Sequence, residues 1–146
     1  CFVSEVVSQA AGELLERAER EGKRILTEGM SEETLYCDQQ WTKEAVGNLV
    51  KNALDHTERG GTVRILWQRS PVMMRLTVED DGCGIAPEDI HHIFKRFYRS
   101  KHAGDRQGIG LGLSLSKLII EGQGGSLSVE SRPGEGSVFR MAFPAG

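Results

Sequence analysis

Asn48, Asn52 and His56 recur every four residues, within a stretch whose apolar positions Val46, Leu49, Val50 and Ala53 have helical spacing. The three polar groups therefore share one stripe of a helix, beside its apolar stripe. Asparagine is a poor helix former, because its amide competes for backbone hydrogen bonds. A repeated pair inside a helix is either an ordinary surface pair or a source of amide oxygen for a hard cation. Mg2+ takes oxygen ligands, keeps water, and borrows oxygens from a phosphate.

A second candidate is Asp80. Met74, Leu76, Val78 and Asp80 alternate along a strand and point to one face. The first three belong to a core, so the carboxylate stands at the edge of an apolar surface. Such a group needs hydrogen-bond donors. These are either structural partners or the amino group of a ligand, of which adenine N6 is one. Asp81-Gly82-Cys83-Gly84-Ile85 follows directly, and glycines there allow a ligand to approach the backbone closely.

Third is Gly108-Ile109-Gly110-Leu111-Gly112-Leu113, entering a helix. A glycine-rich turn at a helix N-terminus offers free N–H groups to phosphate. A dinucleotide-binding βαβ unit is excluded by context, since no strand precedes the run. A P-loop is excluded because no Gly-Lys-Ser/Thr occurs. Upstream, Ile93-Phe94-Lys95-Arg96-Phe97-Tyr98-Arg99 brings cations to a charged stretch, 99–110, which has no period and reads as a mobile loop. Gly134-Glu135-Gly136-Ser137 reads as a hairpin turn.

The elements that must hold these groups follow from periodicity. Helices are predicted over 3–22, 40–56, from Pro87 onward, and over 111–122. Strands are predicted over Arg24–Glu28, Thr34–Asp38, 62–69, 72–80, 125–131 and 137–143. Paired strands alternating with helices predict an α+β sandwich: one mixed sheet with helices on one face.

Composition narrows the classes. The 146 residues include 18 glycines, roughly 12% against a usual ~7%, but only 4 prolines. One soluble domain, 1–146, is expected. With 18 basic and 21 acidic residues the net charge is -3, which argues against non-specific nucleic-acid binding. No apolar run of membrane-spanning length occurs. Cys1, Cys37 and Cys83 lie far apart in sequence and read as reduced thiols rather than a zinc or redox motif. The start, Cys1-Phe2-Val3-Ser4-Glu5, has no initiator Met or basic leader and reads as a fragment of something longer.

In this order the five motifs resemble the catalytic and ATP-binding domain of bacterial two-component sensor histidine kinases, of the wider gyrase, Hsp90, histidine kinase and MutL superfamily. The N box is Asn48–Ala53, the G1 box Asp80–Ile85, the F box Ile93–Arg99 and the G2 box Gly108–Leu113, with Gly134–Ser137 last. Any one box is weak to moderate evidence; the ordered set is highly specific and covers essentially the whole chain. The resemblance implies the Bergerat ATP-binding fold, a two-layer α/β sandwich with a mixed, mostly antiparallel sheet. It implies ATP and Mg2+ as cofactors. Asn52 would bind the metal and Asn48 would lie near the phosphates. Asp80 would recognise adenine N6, with His56 packed near the base. Gly82, Gly84 and Ile85 would shape the pocket wall. Gly108, Gly110, Leu111, Gly112 and Leu113 would form the phosphate-side turn and lid hinge. Arg96 and Arg99 would steady the γ-phosphate or the partner helix, and so join Asn48 in catalysis. Tyr98 and Ser137 complete the expected nucleotide contacts; Ser137 stands where threonine is more usual.

One departure concerns Asp55, which stands where the family often has a lysine near the phosphates. An acid there repels them unless Mg2+ or Lys51 screens it. In the hydrolysing relatives a glutamate that activates water matches Asn48. An amide cannot be a general base, so slow hydrolysis and transfer to a histidine on a separate dimerisation domain are expected. His91 and His92 lack the sequence context of a phospho-acceptor. A response regulator is the implied next acceptor, reached through that helical domain. The implied setting is a cytoplasmic domain of a membrane sensor, making no direct membrane contact. The rivals are a true ATPase of the superfamily, a serine kinase of the same fold, and a degenerate nucleotide-binding or interaction module.

Overall fold

In the computed structural model, residues 1–90, 92–95 and 112–144 are described. The chain forms α1 (Val3–Gly12), α2 (Leu15–Glu21), β1 (Arg24–Glu28), α3 (Gln39–His56), β2 (Thr62–Arg69), β3 (Met73–Asp80), α4 (Gly112–Gly122), β4 (Ser126–Arg132) and β5 (Gly136–Pro144). The strands make one mixed sheet in the order β1-β2-β3-β5-β4. Among the described residues β1 pairs in parallel with β2, and the other strand pairs are antiparallel.

The alternation read from the sequence decides which face is covered. Val63, Ile65, Trp67, Met74, Leu76, Val78, Phe139, Met141 and Phe143 are buried on one side. Arg64, Gln68, Arg75 and Arg140 are exposed on the other. The helix layer closes over the apolar face, with Val46, Leu49, Val50, Ala53 and Leu54 of α3 at its centre. Each fully buried leucine or phenylalanine stabilises the domain by roughly 1.5–3 kcal/mol relative to exposure. This is the predicted α+β two-layer sandwich.

α3 is capped at its start and tied to α4 along its first half. Asp38 caps its N-terminus, accepting the Trp41 N–H at 2.9 Å. α4 is pinned to it where Ser116 Oγ donates to the Ala45 carbonyl at 2.9 Å.

Three expectations are corrected. The single helix over 3–22 is two helices. Gly12, a poor helix former, precedes Leu14, whose ψ of -3° takes the chain out of the helical path. Residues 34–38 form no strand, because Thr34 makes only an isolated bridge to Phe2. From Pro87 onward the described residues form successive turns rather than a helix. Asp89, His92 and Lys95 each donate to the carbonyl three residues earlier, at 2.8–2.9 Å, and no i→i−4 ladder builds beyond Ile90 among the described residues.

Candidate functional site

Asp80 ends β3, and the inward alternation of that strand carries its side chain to the rim of the core, where it is 8% exposed. Its Oδ1 accepts the Gly82 N–H at 2.9 Å. Burial pushes the carboxyl up to about 6; the Gly82 N–H opposes this, the charge of Asp81 adds to it, and the Ser137 N–H, opposite in the ladder, opposes it. Two N–H donors leave the carboxylate capacity to accept from a third group.

The loop after Asp80 is strapped on both sides. Cys83 donates its N–H to the His56 carbonyl at 3.1 Å, and its own carbonyl accepts the Gly134 N–H at 2.8 Å. The Ile85 N–H donates to Ser131 Oγ at 2.7 Å, and that hydroxyl is 2.9 Å from Ser137 Oγ. A Cβ on Gly82 would collide with the His56 carbonyl. Gly84 needs its freedom for another reason, a φ of +75°. The last turn of α3, the glycine loop and the β4–β5 hairpin thus form one unit around Asp80. His56 Nδ1 lies 3.8 Å from Cys83 Sγ.

The asparagine stripe borders the start of α4. Asn48 Nδ2 is buried and has no hydrogen-bond partner among the described residues. A Cβ built on Gly112 would lie 3.9 Å from Asn48 Cβ and Cγ, so the first residue of α4 rests against this side chain. Leu113 is half-buried against the core. Asn52 is half-buried one turn further along. Before α4, Phe94 meets Phe139 edge-on, with centroids 6.1 Å apart, and Lys117 Nζ stands 5.1 Å over its ring.

Asp55 takes a different direction. Its Oδ1 meets Arg17 Nη2 of α2 at 2.5 Å. Burial works against the Arg17 charge, but its hydrogen bonds to Glu21 and Asp55 more than offset this and hold its pKa above the ordinary value. Lys23 and Arg17 together hold the Glu21 carboxyl down at about 2. Asp55 lines a recess of about 520 Å³ on the α2 side, together with Arg17, Arg20, Lys23 and Arg59.

The structure therefore joins Asp80, Gly82, Gly84, Ile85, Ser137 and His56 in one connected cluster, and sets Asn48 against Gly112. Arg96, Tyr98, Arg99, Gly108, Gly110 and Leu111 lie outside the described residues. Sequence reasoning passed over Ser131, an ordinary serine in an edge strand, and Arg17, whose partner Asp55 lies 38 positions away. The Arg17–Glu21 spacing, typical of a solvated helix pair, gave no signal of it.

The profile of the family described as "Histidine kinase-, DNA gyrase B-, and HSP90-like ATPase" matches residues 37–146. The sensor-like histidine kinase SenX3 of Mycobacterium tuberculosis is 36% identical over 145 residues, covering 98% of this chain and 35% of SenX3. The chain thus spans about a third of the length of this curated relative. The catalytic domain of histidine kinase ThkA superimposes with a TM-score of 0.85 at 26% identity, over 99% of this chain and 93% of that one. Full-length ShkA does so with a TM-score of 0.86 at 25% identity, over 97% of this chain and 30% of its own. The buried aspartate at the end of β3, the strapped glycine loop and the asparagine stripe thus sit in a chain that belongs to the histidine kinase-, DNA gyrase B- and HSP90-like ATPase family, as a catalytic domain of the sensor histidine kinase type.

Proposed function

We propose that this domain, residues 1–146, binds Mg-ATP and presents the γ-phosphoryl group to a histidine on a separate helical dimerisation domain, from which it passes to a response regulator. The observation that carries the reading is the buried, unpartnered Nδ2 of Asn48 on the stripe it shares with Asn52. A buried donor without a partner costs about 1–3 kcal/mol, which a bound phosphate oxygen would relieve. ShkA, similar over nearly the whole of this chain, was solved in complex with AMPPNP, which supports a nucleotide here.

Each residue then has a role. Asp80 accepts from adenine N6, while Gly82, Gly84 and Ile85 form the wall beside it and His56 packs near the base. Asn52 offers its amide oxygen to Mg2+, and Asn48 donates to the phosphates. Gly108, Gly110, Leu111, Gly112 and Leu113 supply the phosphate-side turn, and Arg96 and Arg99 neutralise the γ-phosphate; Tyr98 and Ser137 complete the contacts. Mg2+, when bound, supplies charge neutralisation at the phosphates. In the transfer, a bond forms between the acceptor histidine nitrogen and the γ-phosphorus as the bridging oxygen leaves with ADP. The domain contributes position and charge rather than a base, since an amide at position 48 cannot take a proton from water.

No helix among the described residues is long and apolar enough to cross a membrane. The matched relative is a sensor kinase, so we infer that the parent protein is held at a membrane with this domain on the cytoplasmic side.

Calorimetric titration with a non-hydrolysable ATP analogue, with and without Mg2+, tests the reading. Saturable binding strengthened by Mg2+ is expected, together with its loss in Asp80→Asn at unchanged fold. Unchanged affinity in Asp80→Asn would overturn the adenine assignment. Absence of wild-type binding at millimolar analogue would favour a degenerate interaction module.

A further inference from the structure

We propose that Arg17 is a positioning residue of the nucleotide site: it holds the Asp55 carboxylate on the α2 side of α3 and cancels its charge, so that a triphosphate meets Asn48 and Asn52 without an opposing anion. The proposal rests on the nucleotide reading above and adds to it a residue from outside every motif.

The first support is placement. Asp55 follows Asn52 by three positions in α3, and side chains so spaced are neighbours, with Cβ atoms roughly 5–6 Å apart. A carboxylate turned to the Asn52 side would stand at the rim of the proposed phosphate region. The second is direction. The Asp55 side chain, 12% exposed, lines the recess on the α2 side and meets Arg17, itself 22% exposed, at 2.5 Å. Partial burial leaves the pair less screened by solvent and salt than a fully exposed pair.

The third support is that Arg17 is held in place. Its Nε donates to Glu21 Oε2 at 2.8 Å, and Glu21 Oε1 accepts from Lys23 Nζ at 2.8 Å. Lys23 Nζ also donates to the carbonyl of Leu54, the residue before Asp55, at 2.6 Å. The chain of contacts Asp55–Arg17–Glu21–Lys23–Leu54 closes between α2 and the last turn of α3. Its two cations and two carboxylates sum to zero charge. Without Arg17, the remaining members of this chain of contacts carry one net negative charge, which stands near the several negative charges of a triphosphate.

The test compares two probes, adenosine and the Mg2+ complex of a non-hydrolysable ATP analogue, across wild type, Arg17→Gln, Asp55→Asn and the double variant. Arg17→Gln should weaken the analogue about tenfold, a loss that shrinks at high salt, and leave adenosine within about twofold. Adding Asp55→Asn should restore most of the lost affinity. Asp55→Asn alone, which no longer needs the arginine, should bind the analogue at least as tightly as wild type. Equal loss of adenosine and analogue in Arg17→Gln, or no rescue in the double variant, would reduce Arg17 to a structural tie and overturn the proposal. Weaker analogue binding in Asp55→Asn would overturn it as well. Failure of the wild type to bind either probe would instead overturn the nucleotide reading beneath it.

Discussion

The backbone N–H of Cys83 donates to the carbonyl oxygen of His56 across 3.1 Å, fastening the glycine loop to the last turn of α3. This bond brings Asp80 and the asparagine helix into one rigid frame, because Gly82, between Asp80 and Cys83, lies directly under the same carbonyl.

Gly82→Ala should therefore damage fold and site together. The new methyl group has no space beneath the His56 carbonyl, and overpacking of this kind costs about 1–3 kcal/mol. Adenosine affinity should fall at least about tenfold, since the shift needed to admit the methyl moves Asp80. Gly122→Ala is the control: a Cβ there meets nothing within 4 Å, and thermal melting should change little. A lowered melting temperature with intact adenosine affinity would show that the loop does not shape the pocket.

Asp80 should make both stability and binding depend on pH. Burial raises its carboxyl to about 6, so between about 4 and 6 the folded chain keeps a proton that the unfolded chain has released. Stability conferred by that proton is therefore lost as pH rises through this window, and above about 6 the penalty is constant. Asp80→Asn should melt higher than wild type above pH 6, by roughly 1–3 kcal/mol, and lose the pH slope. On the proposed reading adenine N6 donates to the ionised form, so adenosine should bind more weakly as pH falls from about 7 to 5 and release protons near pH 6. Calorimetry in two buffers of different ionisation heat reads that release. A proton release in the wild type that does not peak near pH 6, or an affinity that does not fall between pH 7 and 5, would assign the release to another group.

The parts of the site legible in the sequence are those that obey a local period. The helical spacing of Asn48, Asn52 and His56 places them on one stripe, and the alternation of Met74, Leu76, Val78 and Asp80 fixes which face Asp80 shares. The bounds of β1, Arg24–Glu28, were readable because Gly22 and Gly29 punctuate them. What could not be read depends on contacts far apart in sequence. Residues 34–38 have strand character, but the chain opposite them turns into α1 after Phe2, so pairing stops at one bridge. Asp55 read as an anion facing phosphate because its Arg17 partner arrives only when α2 packs beside α3. Ser131 became a tie for Ile85 only once β4 and β5 brought it to the glycine loop.

Asn48 offers the sharpest separation of function from stability. A hydrogen-bonded buried amide normally contributes to the fold, and its removal leaves a partner unsatisfied. Nδ2 of Asn48 has no partner among the described residues, so Asn48→Ala deprives no described group of a donor. The cavity created is offset by the desolvation penalty removed, and the free protein should melt within about 1 kcal/mol of wild type. The Mg2+ complex of the analogue should bind at least about tenfold more weakly, because the phosphate loses its donor. Asn48→Asp keeps the shape but replaces the donor with an acceptor, and it should lose as much affinity or more at neutral pH. If Asn48→Ala instead melts well below wild type and keeps its affinity, the amide is a structural group and the phosphates bind elsewhere.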